Sequence, residues 1–248
     1  MTMSVGAGNG IARDLMLDIP AGDDGSKSSL NKFGYSADID TSAEEVWDGG
    51  VAYAGFLATA DTISAISTSV EDDTGGDGAL TITIQGLDET YAFAEETLTM
   101  NGQTTTTETN TTFLRVFRVS VTTAGVSLTN EGTITLASTT PTTVAIISAT
   151  KGQTLMALYT VPLGKTLYMT KWYLSTGKGD DIYGELFKRE FGGAWRIQHS
   201  QSVYQGQAVH EFNPYLKFTE KTDIKIMALS SNLNTVGSAG FDGVLVTN

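Results

Sequence analysis

The chain has 248 residues, 40% hydrophobic and 17% charged, with a mean hydropathy of −0.05 and a formal net charge of −13. That is the composition of an ordinary globular protein, neither collagenous nor disordered. It contains no cysteine, which excludes a disulfide scaffold, a thiol nucleophile and a thiolate metal site. Threonine supplies 37 positions, and so many stiff β-branched side chains favour strands over a helical bundle.

The N-terminal stretch lacks a basic cluster followed by an apolar run of signal-peptide length, so it reads as a chain made and folded in a cytoplasm. No segment approaches the roughly 18 apolar residues of a membrane helix. Charge is unevenly spread: residues 1–150 hold 20 acidic and 5 basic side chains, whereas residues 151–248 hold 8 and 10. Between Phe33 and Leu114 there are 15 acids and neither Lys nor Arg. Such a surface repels phosphates and anionic lipid, so neither nucleic acid nor membrane is expected as a partner.

Residues 1–50 show no sustained periodicity. Turn-rich segments and isolated large apolar residues, among them Phe33, Tyr35 and Trp47, predict an extended arm that becomes ordered against something else. The glycine-rich run at residues 6–10 imitates a nucleotide loop, but no strand precedes it and it reads as a flexible terminus. One short helix is predicted at residues 41–45, where Thr41 is followed three residues later by Glu44; Gly49 and Gly50 would stop it.

From about residue 60 the period changes to two. Leu80, Ile82 and Ile84 alternate with Thr81, Thr83 and Gln85, as in a half-buried strand. Asn101-Gly102 predicts a hairpin turn. Residues 113–121 (FLRVFRVSV) read as a strand in which Arg115 and Arg118, three apart, break alternation and predict a bulge near Phe117. Short strands follow at 133–136 and 144–147. A boundary is set near residue 148, where the charge balance changes.

The C-terminal part has longer, more aromatic strands. Segments 154–161 and 167–174 flank Pro162-Leu163-Gly164-Lys165 and are predicted to pair across that turn. Further strands fall at 182–190, 194–199, 208–212, 215–218, 223–229 and 241–246, with no crossover helix among them. The expected fold is therefore all-β: an arm (1–50), a Thr-rich acidic β-sandwich (51–148) and an aromatic-rich, jelly-roll-like antiparallel sandwich (149–248).

Chemistry is sparse. His199 and His210 fall eleven apart outside any HExxH pattern, and neither a nucleophile elbow nor a phosphate loop is present. Adjacent carboxylates on a strand point to opposite faces and do not form a hydrolase pair. No enzyme and no cofactor are expected. The one candidate metal site is a calcium loop at residues 71–78 with Asp72, Asp73 and Asp77, against which stands the simpler reading of an acidic hairpin turn. Residues 187–196 interleave Lys188, Arg189 and Arg196 with Phe187, Phe191 and Trp195, and read as core aromatics beside a loop.

Several phrases are more specific than this chemistry. Residues 153–166 (QTLMALYTVPLGKT), 191–196 (FGGAWR), 214–224 (PYLKFTEKTDI) and 241–246 (FDGVLV), together with 31–34 (NKFG), 38–40 (DID) and 46–50 (VWDGG), resemble virion structural proteins of marine tailed bacteriophages. The resemblance implies a non-enzymatic capsid decoration (cement) or head-fibre protein on the capsid exterior, bound to the major capsid protein and trimeric. On that reading residues 1–50 dock on the capsid, with Phe33, Tyr35 and Trp47 as anchors; the equal alternative is that these aromatics cover the chain's own second domain. The alternative it leaves open is a tail or fibre protein that recognises a host receptor or glycan through the loops at 177–181 and 200–206.

Overall fold

A computed structural model describes residues 3–5 and 12–248. The glycine-rich run at 6–10 lies outside the described residues. Fifteen strands and one short helix are described: β1 (Met3–Val5), β2 (Ala12–Asp14), α1 (Leu15–Ala21), β3 (Lys27–Ile39), β4 (Glu44–Glu45), β5 (Ile63–Ser67), β6 (Ala79–Leu87), β7 (Phe93–Thr99), β8 (Arg115–Ala124), β9 (Ile134–Ser138), β10 (Thr143–Ile147), β11 (Leu158–Thr160), β12 (Lys165–Arg189), β13 (Arg196–Phe218), β14 (Asp223–Leu229) and β15 (Thr235–Thr247). The protein is all-β, and every strand pairing among the described residues is antiparallel.

The Thr-rich part forms two three-stranded sheets, β10–β9–β5 and β7–β6–β8. They share a core in which Ile63, Ile82, Ile84, Phe113, Val119, Ile134, Leu136 and Ile147 are fully buried. The period-two pattern of β6 does what it predicted, with Ile82 and Ile84 inward and the threonines between them half-buried. On the outer face those threonines pair across strands, Thr83 with Thr97 at 2.9 Å and Thr81 with Thr123 at 2.6 Å. The bulge expected near Phe117 is present: opposite Gln85 and Gly86, β8 contributes Arg118 and Val116, and Phe117 is the extra residue.

Asn101-Gly102 does not close a hairpin. Gly102 has the left-handed φ of 57°, but the chain then leaves β7 and runs beside β5. There the Thr106 and Thr109 hydroxyls accept from the Ala65 and Ile63 amides at 3.0 Å each. An edge that lacks a strand partner is thus satisfied by side chains.

The C-terminal part is organised by two long strands. β12 and β13 pair along nearly their whole length, and both bend where residues 177–180 of β12 face Gln205 alone. Gln205 (φ 51°) and Gly206 (φ 120°) supply the reversed backbone at that corner. On one side of it, residues 165–176 of β12 pair with β15, which in turn pairs with β3. On the other, residues 183–189 pair with β14, which carries β11 and β4. Trp172, Leu174, Ala239 and Phe241 from the first layer meet Ile182, Leu186, Ile224 and Ile226 from the second in one core.

Two sequence expectations are corrected here, the helix at 41–45 and the pairing across residues 162–165, and the place of residues 27–45 of the expected arm (1–50) is defined. What residues 27–45 lie against is the chain's own C-terminal part, because β3 is hydrogen-bonded to β15 over most of its length and β4 to β14. Gly34 makes that docking possible: a Cβ there would sit 2.2 Å from the Val46 carbonyl and 2.4 Å from the Ala157 amide. No helix forms at residues 41–45, since Glu44 and Glu45 add to the edge of β14 and the Glu45 carboxylate meets Lys225 Nζ at 2.7 Å; sheet pairing outweighs a single capping box. The helix instead occupies Leu15–Ala21, where no periodic signal pointed. Finally, the turn at residues 162–165 exists, with Gly164 at φ 74°, but its flanks do not pair: β14 lies between β11 and β12.

Candidate interaction surface

Trp47 is no docking anchor. It is 2% exposed and packs with Tyr53, Met156 and Leu158, its ring edge-to-face on Tyr53 at 5.1 Å and its indole N–H donating to the Val51 carbonyl at 2.6 Å. This cluster fills the space between the two sandwiches. Phe33 and Tyr35 alternate along β3 with the buried Lys32, Gly34 and Ser36, so they point away from the core and remain half-buried.

The acidic loop is a structural knot. Asp72 is fully buried, and its carboxylate accepts from Ser67 Oγ (2.5 Å) and from the amides of Ala79 (2.8 Å), Glu131 (2.9 Å) and Gly132 (2.9 Å). Four protein donors occupy the oxygens a calcium ion would need. The Asp73 carboxylate accepts from Thr74 Oγ1 at 2.8 Å and Asp77 is exposed; the three named carboxylates are not brought together.

Residues 187–196 form the tip of the β12–β13 ribbon, and the structure shows what their cations do. Asp223, 3% exposed, receives Arg115 Nε (2.9 Å) and Thr160 Oγ1 (2.6 Å) on one oxygen, and Arg189 Nη2 (2.6 Å) and Nε (3.0 Å) on the other. Around this centre Arg189 lies over Trp195 at 4.7 Å, Lys225 over Trp195 at 4.7 Å and Lys221 over Phe191 at 5.0 Å. The cations are thus held by a carboxylate and by ring faces at the junction of the two sandwiches. Sequence spacing could not show this, because Arg115, and the Phe56 and Tyr91 rings that its guanidinium faces at 5.5 and 5.7 Å, come from the Thr-rich part of the chain.

The two histidines are brought together. β13 folds at Gln205-Gly206, and His199 and His210 stack with ring centroids 3.8 Å apart. Trp172 Nε1 donates to His199 Nδ1 at 3.2 Å, and burial followed by the neighbouring His210 charge lowers the pKa of His199. Among the described residues no group of three or more His, Asp or Glu side chains could hold a metal ion.

β13 itself is the least protected part of the surface. Among the described residues it pairs with β12 alone, so its second edge is open over a 23-residue strand. Residues 197–210 contain neither Asp, Glu, Lys nor Arg. Ile197, Tyr204, Val209 and Tyr215 are 51–71% exposed. Free-standing sheet edges are normally blunted by charge, proline or shortness, and here Arg196, Glu211, Pro214 and Lys217 all lie outside residues 197–210.

No protein-family model and no curated protein matches this chain. Among solved structures it is similar to that of the infectious bursal disease virus Gx strain, at 10% identity over 90% of this chain and 72% of that one, with a TM-score of 0.26. It is likewise similar to the T=1 particles derived from infectious bursal virus, at 12% identity over 90% and 68%, TM-score 0.26. Among the described residues no helix is long and apolar enough to cross a membrane.

Proposed function

We propose that this chain is a structural component of a virion, a capsid decoration (cement) protein that lies on the exterior of the head, contacts the major capsid protein and makes or breaks no covalent bond. The observation that carries the reading is the open edge of β13, a long strand on a braced body whose residues 197–210 carry no charged side chain. Such an edge offers a row of backbone donors and acceptors to a partner strand, and Tyr204 and Tyr215 add large rigid contacts at small rotamer cost. A decoration protein needs a stiff body and one adhesive face. The resemblance of residues 153–166 and 214–224 to virion proteins agrees with it, and a homotrimer is the expected assembly.

The reading is tested on purified particles. Quantitative mass spectrometry should find the chain in fixed, high proportion to the major capsid protein, and imaging should place it on the head. Recombinant protein should bind heads that lack it, whereas a Tyr204→Asp, Val209→Asp variant with an unchanged melting temperature should not. A handful of copies confined to the tail, with binding of the isolated chain to host cells, would overturn the decoration role in favour of receptor recognition, for which the exposed bend of β12 at 177–179 beside Gln205 is the available surface.

A further inference from the structure

A half-open cavity of about 500 Å³ lies where β3 faces the β6–β7–β8 sheet and the turn after β11, a size usual for small-molecule sites. Fifteen residues line it, and they include three cations, Lys32, Arg118 and Lys165, and no carboxylate. That is against the grain of a chain with 28 acids and 15 bases. None of the three cations forms an ion pair among the described residues. Each donates to a neutral oxygen instead: Lys32 Nζ to the Phe117 carbonyl, Arg118 Nη2 to the Asn31 carbonyl at 2.8 Å, and Lys165 Nζ to Thr247 Oγ1 at 2.8 Å.

Lys32 is the informative member. It is 3% exposed, and an ammonium buried without a counter-charge is costly. Burial, then the nearby Arg118 charge, depresses its pKa. The Phe117 ring lies 5.9 Å from its nitrogen and accounts for little of that cost at such a distance. Arg118 is only half-buried and uses one of its five donors on Asn31. Ser28, Ser29, Asn31 and Gln85 add neutral polar groups, and the remaining wall is apolar and aromatic, with Phe93, Phe117 and Tyr159 foremost.

We infer that this cavity binds a small organic anion, its carboxylate or phosphate head set between Lys32 and Arg118 and its apolar body lying against Phe93, Phe117 and Tyr159. The geometry supplies both halves of such a ligand's needs: charge-assisted donors for the head and a wall that removes the body from water. The inference is independent of the proposed virion role, because the cavity lies away from the β13 edge.

The test is calorimetric titration of the full chain with benzoate, phenyl phosphate, inorganic phosphate and uncharged benzyl alcohol. Benzoate or phenyl phosphate binds saturably, the tighter of the two identifying the head group, with inorganic phosphate and benzyl alcohol each at least about tenfold weaker because one part of the site is left unused. Arg118→Gln lowers the affinity about tenfold or more with the melting temperature unchanged, and Lys32→Met does the same without loss of stability. Should Lys32→Met fail to fold, Arg118→Gln decides alone. Absence of saturable binding by both aromatic anions, equal binding of benzyl alcohol, or unchanged affinity in Arg118→Gln would overturn the inference.

Discussion

Arg115 and Asp223, 108 positions apart in the chain, meet in a two-pronged contact beneath the junction of the sandwiches, Nε to Oδ1 at 2.9 Å and Nη2 to Oδ2 at 3.2 Å. Arg115 also donates Nη1 to the carbonyls of Leu57 (2.7 Å) and Leu114 (2.8 Å). A guanidinium from β8 therefore ties the first sandwich to the first residue of β14. Arg189 closes on the same carboxylate from β12, so two cations depend on one buried anion.

Replacing Asp223 leaves Arg115 buried without its counter-charge. Asp223→Asn is expected to cost about 3–5 kcal/mol of unfolding free energy, the usual range for breaking a buried pair from one side. Arg189→Met removes a cation that is partly exposed and is expected to cost about 1 kcal/mol or less. Urea denaturation followed by tryptophan fluorescence reads both. Near-equal effects of the two variants would mean that Asp223 does not hold the junction.

Asp72 gathers four donors from three chain segments. Asp72→Ala strands the Ala79, Glu131 and Gly132 amides and is expected to cost about 3 kcal/mol or more, each buried unpaired donor contributing part. Because these donors already occupy the carboxylate, neither calcium nor a chelator should move the melting temperature of the native protein. A rise of several degrees on adding millimolar calcium would restore the metal reading of this loop.

Stability should also report a charge near Trp47. Burial pushes Asp48 up to about 6, the amides of Ser148 and Leu155 opposing it in part, and one of its oxygens is buried without a hydrogen-bond partner among the described residues. Glu44 is raised to about 7 by burial and then by the charges of Asp40, Asp38 and Glu45, but it is more exposed and weighs less. A folded-state pKa above the ordinary 3.8 means that the native state holds the proton more tightly. That stability is present below about pH 4 and is lost as pH rises through about 6. Asp48→Asn lacks this loss, so its advantage in melting temperature over the native chain should grow from pH 4 to pH 7. Parallel curves would show that Asp48 is not the titrating group.

The sequence by itself determined the class of the protein and much of its local grammar. The strand at β6, the bulge at Phe117 and the absence of crossover helices follow from side-chain periodicity and β-branching, which act over a few residues. The meaning of isolated residues was not legible there. Trp47 reads in the sequence as an isolated large aromatic able to anchor a contact, yet its partners Tyr53, Met156 and Leu158 converge only in three dimensions. Lys32 and Arg118 lie on either side of the cation-free stretch 33–114, and only the packing of β3 beside β8 puts them in one cavity wall. Likewise His199 and His210 stack because β13 reverses at Gln205-Gly206. Pairing order, burial and the counting of charges in a cavity depend on contacts between distant segments, and the tertiary structure alone decides them.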